Sequence, residues 1–248
     1  MNGMYTIENK GSIKEWKWKT DMAIQLAPKV MTMAMDYDSA SPGLTAMYAD
    51  LYDYVRYRGI ELLAEQLQLR KITGAIAEAG VDMGLTSAIL NRLFPQRRLY
   101  LYDTFERFPQ DALDIEVELF NGDPKLAERW KKIRPDSNAR IHYIREHLSS
   151  EENVYFRKGY FPETAIMHDA AETFAFVLLD MDLYLPMLEG IRFFYPRISS
   201  GGYLMLHDYN TSLFKGIHAA VEEAEKSFGR FLSFPLPDQG GSLVIIKP

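Results

Sequence analysis

A chain of 248 residues, 47% hydrophobic, with a formal charge of −6 and no cysteine holds enough apolar material for one large α/β domain. It carries no clustered Lys and Arg to displace counterions from nucleic acid, and no thiol for a disulfide, a Cys-ligated zinc or thiol catalysis. Nothing ties it to an oxidising compartment, the charged first thirty residues hold no apolar stretch of signal length, and no run reaches the roughly 20 apolar residues of a membrane span, so a soluble cytoplasmic protein without nucleic-acid or membrane partners is expected.

The N-terminal region is rich in aromatics and Met, with a compositional shift near residue 70. Residues 1–45 are expected to form an arm or lid, with 46–248 as the main domain; the aromatic region is also the expected subunit contact of a homo-oligomer. Ala40-Ser41-Pro42-Gly43 interrupts the chain, after which Met47, Leu51, Tyr54, Val55, Leu62 and Leu63 recur at helical spacing. From Ile72 onward short apolar runs alternate with amphipathic ones. Strands are predicted at Ile72 to Glu78, Arg98 to Asp103, Asn153 to Lys158, Phe174 to Asp180, Tyr203 to His207 and Ser242 to Ile246, with one more near Phe231 to Phe234. Helices are predicted over Thr86 to Phe94, over Ala139 to Leu148 behind an Asp136 to Asn138 cap, from Pro186 onward, and along the Ile217, Ala220, Val221, Ala224 and Phe228 face. The result is a doubly wound, mostly parallel seven-stranded α/β sheet, whose ligands sit outside the carboxyl ends of the strands.

The first strand ends at Glu78 and enters Ala79-Gly80-Val81-Asp82-Met83-Gly84-Leu85-Thr86-Ser87. Gly80 and Gly84 permit a sharp turn and close backbone approach, and Thr86 or Ser87 is placed to cap the next helix or bond a ligand. Glu78 would repel a pyrophosphate. It suits a cation such as S-adenosylmethionine, which has an ammonium and a sulfonium but no phosphate. Asp103, ending the second strand, is placed to accept ribose hydroxyls, a role shared with dinucleotide folds; the alternative is a turn cap. Asp180-Met181-Asp182 ends the fourth strand and His207-Asp208 the fifth. Converging carboxylates at Asp180 and Asp208, with His207 beside them, call for a divalent cation, Mg²⁺ or, given the imidazole, Mn²⁺; the alternative makes Asp182 and Asp208 simple caps. His142, His147, His168 and His218 are expected on polar surface, His168 within a loop.

Five segments in order resemble the macrocin O-methyltransferase family, metal-dependent enzymes that methylate sugar hydroxyls of antibiotics. They are Glu78-Ala79-Gly80-Val81 with Gly84 and Ser87; Leu101-Tyr102-Asp103-Thr104-Phe105-Glu106-Arg107-Phe108-Pro109; Lys158-Gly159-Tyr160-Phe161-Pro162-Glu163-Thr164; Asp180-Met181-Asp182-Leu183-Tyr184; and Gly201-Gly202-Tyr203-Leu204-Met205-Leu206-His207-Asp208-Tyr209. The resemblance implies that Glu78, Gly80 and Ser87 hold the methionine part of S-adenosylmethionine, Asp103 the ribose, and Gly159, Tyr160 and Phe161 the adenine. Gly84, Thr104, Phe105 and Asp180 complete the implied cofactor-binding set. Asp180, His207 and Asp208 are the implied metal ligands, and Asp182 is the implied base. The family more usually has two acids where this chain has His207-Asp208, so His207 stands as either nitrogen ligand or base.

The implied chemistry is attack of a small-molecule or glycan hydroxyl on the sulfonium methyl, the cation lowering the hydroxyl's pKa and Asp182 or His207 removing its proton. Other acceptors within this class are a surface-polysaccharide precursor or a catechol. Rival classes are a nicotinamide-dependent oxidoreductase, which Glu78 and the missing third glycine disfavour, and a non-catalytic relative that only binds the cofactor.

Overall fold

A computed structural model describes residues 53–106, 108, 110–120, 122 and 136–248. The expected lid over residues 1–45, and Met47 and Leu51 of the first expected helix, lie outside the described residues. Arg56–Pro248 forms one compact unit.

Helix α1, Tyr54–Leu69, buries Tyr57, Ile60, Ala64 and Leu67, a spacing that keeps one face toward the core. It stops where Lys71 takes a left-handed conformation (φ 55°) and the Ile72 N–H donates to the Leu67 carbonyl at 2.9 Å. That cap uses residues the sequence pattern assigned to a strand, so β1 runs from Ala75 to Ala79 instead of starting at Ile72.

The remaining elements are α2 (Leu85–Leu93), β2 (Leu99–Asp103), α3 (Gln110–Phe120), α4 (Ser137–His147), β3 (Val154–Lys158), α5 (Glu163–Asp169), β4 (Phe174–Leu179), α6 (Tyr184–Phe194), β5 (Ile198–Leu206), α7 (Gly216–Phe228), β6 (Leu232–Pro235) and β7 (Leu243–Ile246). Helices α3 and α5 are absent from the sequence expectation, and α5 contains His168. The seven strands lie in the order β3-β2-β1-β4-β5-β7-β6. Pairing is parallel from β3 to β5, and β7 runs antiparallel to both of its neighbours. Every residue of β4 is buried, as a central strand covered on both faces requires. Phe174 on β4 meets Phe194 on α6 edge-to-face at 5.1 Å, and Phe161 stacks on Phe194 at 5.4 Å. Full burial of each such side chain contributes about 1.5–3 kcal/mol.

Helix α6 starts two residues before Pro186, which occupies its third position, where no intrahelical N–H is needed. The start is set from afar. The buried Glu116 on α3 accepts the Tyr184 N–H (2.9 Å) on one oxygen and the Gly216 N–H (3.0 Å) on the other, capping α6 and α7 together. Among the described residues, no helix is long and apolar enough to cross a membrane.

Candidate active site

Parallel register puts the strand ends in a row. The Gly80 N–H donates to the Tyr102 carbonyl (2.9 Å), the Asp180 N–H to Ala79 (2.8 Å) and the His207 N–H to Leu179 (2.9 Å), while the Gly159 N–H donates to Asp103 (3.0 Å). Gly159, Asp103, Gly80, Asp180 and His207 therefore cross the sheet side by side and line one cavity of about 530 Å³. Asp82, Phe105, Asp182 and Asp208, each shortly after one of these strand ends, hold left-handed backbone at φ 49°, 54°, 63° and 56°. Such conformations, tolerated by Asp more than by most residues, cluster at sites that need a side chain aimed off the sheet.

On the β1–β2 side the backbone dominates. Gly80 has φ 89°, and a Cβ there would overlap the Asp180 carbonyl oxygen, so only glycine lets the ends of β1 and β4 close on each other. Glu78 is buried and accepts the Ser87 hydroxyl. Burial pushes its carboxyl well above the usual carboxylate range; the Ser87 bond opposes this, and the Asp180 and Asp103 charges add to it. Asp103 Oδ2 accepts the N–H groups of Val81 (2.7 Å) and Asp82 (3.0 Å), and Oδ1 that of Phe105 (2.6 Å). The Thr104 hydroxyl makes a longer contact with Oδ1 at 3.5 Å. A carboxylate has about four acceptor positions, so a ribose hydroxyl would take the one this long contact now holds. Asp103 is thus also the turn cap given above as its alternative role.

Arg140 on α4, fully buried, clamps this side: its guanidinium donates to the Asp82 carbonyl at 2.9 Å and to the Glu106 carbonyl at 3.4 Å. Beyond β2, Asp169 holds Arg157 through two 2.8 Å bonds and the Tyr102 hydroxyl through a third at 2.8 Å. That ties β3 and α5 beneath Gly159, Tyr160 and Phe161.

On the β4–β5 side charges dominate. His207 Nδ1 lies 2.9 Å from Asp180 Oδ1 and 3.3 Å from Asp208 Oδ2. Burial works against a charged ring, but the Asp180 charge and the hydrogen bonds to Asp180 and Asp208 outweigh it and raise the imidazole to about 10. Burial likewise opposes ionised Asp180, and the His207 charge, its hydrogen bond and the Arg56 charge more than offset it, holding Asp180 below the usual range. Asp180, His207 and Asp208 each present one donor atom, all within 4.8 Å of one another. Two carboxylates and, once its ring has given up a proton, an imidazole fit a divalent cation, and the nitrogen suits Mn²⁺ better than Mg²⁺. Asp182 lines the same cavity, while α6 takes Leu183 as its N-cap.

Of the residues singled out in the sequence, Glu78, Gly80, Asp103, Thr104, Gly159, Tyr160, Phe161, Asp180, Asp182, His207 and Asp208 line the cavity. Gly84, Ser87 and Phe105 lie behind its wall. A Cβ on Gly84 would meet Ile144 at 2.6 Å, Ser87 acts through Glu78, and Phe105 packs on Phe156 at 6.1 Å. His142, His147, His168 and His218 are exposed. Arg56, Arg140 and Glu116 escaped the sequence reading; no short-range pattern marks them, since the contacts that bring them to the site, with Asp180, Asp82 and the Tyr184 and Gly216 amides, reach far along the chain.

This strand order, with an antiparallel seventh strand, a glycine turn after β1 and an acid closing β2, defines the class I Rossmann-like methyltransferase fold. The chain belongs to the macrocin-O-methyltransferase (TylF) family, whose model matches residues 37–229. It is 25% identical over 161 residues to demethyldecarbamoylnovobiocin O-methyltransferase of Streptomyces niveus, a match spanning 62% of this chain and 60% of that enzyme. Over 198 residues it is 26% identical to 8-demethyl-8-(2,3-dimethoxy-alpha-L-rhamnosyl)-tetracenomycin-C 4'-O-methyltransferase of Streptomyces olivaceus, covering 75% of this chain and 70% of the relative. The fold is shared with the O-methyltransferase NovP at a TM-score of 0.64 and 22% identity, over 78% of this chain and 79% of that one.

Proposed function

We propose that this chain transfers a methyl group from S-adenosylmethionine to a hydroxyl of a sugar or glycosylated small molecule, as the names of its Streptomyces relatives suggest for them. The observation that carries this reading is the single cavity in which Glu78, Gly80 and Asp103 adjoin the Asp180, His207 and Asp208 cluster across one hydrogen-bonded register.

S-adenosylmethionine supplies an electrophilic methyl on a positive sulfonium. Glu78 and the other acids favour its ammonium, Gly80 admits close approach of the backbone, and Asp103 takes one ribose hydroxyl. Gly159, Tyr160 and Phe161 border the adenine. Phe108, Leu213 and Phe214 give the cavity an apolar wall against which an aglycone can exclude water. Asp182 accepts the proton of the reacting hydroxyl. His207 is the weaker candidate for that role, because its ring is protonated at neutral pH; it acts as counter-charge or, once deprotonated, as nitrogen ligand. A divalent cation held by Asp180, His207 and Asp208 supplies Lewis acidity toward the acceptor oxygen.

Calorimetry with S-adenosylmethionine and with NAD⁺, together with a mass-spectrometric methyl-transfer screen over glycosides with Mn²⁺, Mg²⁺ or chelator, tests this. The expected result is binding of S-adenosylmethionine alone, with transfer lost in Asp180→Ala while cofactor affinity stays within about tenfold. Preference for the dinucleotide overturns the reading, and binding without transfer to any hydroxyl points to a non-catalytic relative. Unchanged transfer by Asp180→Ala removes the cation site.

A further inference from the structure

Seven acidic side chains line the cavity, and Arg56 is the one arginine or lysine among the described lining residues. That imbalance suits the ammonium and sulfonium of the proposed cofactor but leaves its methionine carboxylate facing like charge, which costs affinity unless a cation meets it. Arg56 is placed to do so. Its side chain is only 14% exposed, its Nη2 donates to the Tyr57 hydroxyl at 2.8 Å, and its guanidinium lies 4.8 Å from the centre of the Tyr57 ring. The Tyr57 hydroxyl also bonds Thr86, in the first turn of α2, which lines the cavity. The guanidinium is thereby placed beside a helix N-terminus, whose free N–H groups favour an anion.

Its contact with Asp180 is loose. Nη1 and Oδ2 are 3.4 Å apart, against roughly 2.7–2.9 Å for a well-formed charge-assisted bond. An incoming carboxylate that meets Nη1 at the shorter distance would outcompete that contact.

Resting on the cofactor assignment above, we propose that Arg56 anchors the carboxylate of the cofactor's methionine moiety, exchanging its loose contact with Asp180 for that carboxylate. The exchange has a consequence for the other half of the cavity. It takes a positive neighbour away from Asp180, so a filled cofactor site strengthens the field that Asp180 presents to the cofactor's ammonium or to a cation.

Calorimetric titration of the wild type, Arg56→Lys and Arg56→Met with S-adenosylmethionine and with its decarboxylated analogue tests the assignment. The wild type is expected to bind the carboxylated form about 10- to 100-fold more tightly, the range of one charged hydrogen bond. Arg56→Met should bring the two affinities within about twofold, with Arg56→Lys between. A wild type indifferent to the carboxylate overturns the proposal whether or not the variants fold. So does an Arg56→Met protein that keeps the wild-type ratio while its overall affinity falls. A wild type that binds neither compound fails at the cofactor assignment itself, an outcome distinct from binding both equally.

Discussion

Where β1 and β2 end, one carboxylate is surrounded by amides: Asp103 receives three backbone N–H groups, and the loop that supplies two of them is clamped by the buried Arg140. Where β4 and β5 end, the carboxylates of Asp180 and Asp208 face an imidazole and, for Asp180, a guanidinium. Asp103 in the first half is held by neutral dipoles fixed in the fold, whose strength varies little with pH or ions, and the neighbouring buried Glu78 is what ties that half to pH. The second is held by opposed charges in a low-dielectric pocket, and it answers to protons, cations and charged ligands. Under the methyl transfer proposed above, the first half would hold the cofactor still and the second would exchange a proton, and the two constructions suit those two tasks.

The largest effect is expected where the halves touch. Gly80→Ala forces a Cβ onto the Asp180 carbonyl oxygen at a backbone φ of 89°, so β1 and β4 cannot both keep their places. A loss of about 3 kcal/mol or more is expected, with cofactor binding abolished, as read by urea unfolding and calorimetry. A variant of wild-type stability that still binds cofactor would show that the two strand ends do not depend on this contact.

His207→Gln tests the charged half. Removing the ring's charge leaves Asp180 and Asp208 facing each other and should cost about 2 kcal/mol at pH 7. The pH dependence is the sharper reading. The folded imidazole is raised from 6.5 to about 10, so its stabilisation is complete below pH 6.5 and drains away as pH climbs toward 10. Wild-type melting temperature should fall across that window more steeply than that of His207→Gln. Parallel curves would mean that the ring is neutral in the folded protein.

Glu116→Ala reaches both α6 and α7 without touching the cavity. Two helix N-termini lose their acceptor, for an expected cost of about 2 kcal/mol in denaturant unfolding, at the ordinary worth of a cap for each. Because α6 follows Asp182 and α7 follows Leu213 and Phe214, acceptor KM should rise while cofactor affinity holds. A change confined to cofactor affinity would contradict that arrangement.

Glu78, Asp103, Asp180 and His207 were legible in the sequence because each closes an apolar strand, and a parallel register needs nothing more to align such ends. Glu116 and Arg140 were not. Glu116 lies 68 and 100 residues from the amides it caps, on a helix the hydrophobic pattern did not reveal, and Arg140 reaches back 58 residues to Asp82. Pro186 misplaced the start of α6 for the same reason, since Glu116 fixes that end. Gly84 and Ser87 read as ligand-facing because turn chemistry locates a loop without saying which side of it faces solvent.

The smallest expected change, and one of mixed sign, comes from Glu78→Gln. Burial, together with the charges of Asp180 and Asp103, raises the Glu78 carboxyl against the opposing Ser87 bond and Arg56 charge. A raised acid favours folding fully below its unfolded value of 4.5, and that contribution is lost as pH rises through the folded value. Gln imitates the protonated acid and keeps an oxygen for the Ser87 hydroxyl. The ligand-free variant should therefore be slightly more stable than wild type, by an amount that grows with pH above 4.5 and then levels off. With S-adenosylmethionine present the order should reverse, since the cationic ligand favours the ionised carboxylate and the wild type alone can supply it. Wild-type affinity should thus rise with pH while that of Glu78→Gln stays flat. Thermal melts with and without cofactor at pH 6 and 9 measure both signs, and a variant less stable in both states would place the burial cost of Glu78 below the value of its bond to Ser87.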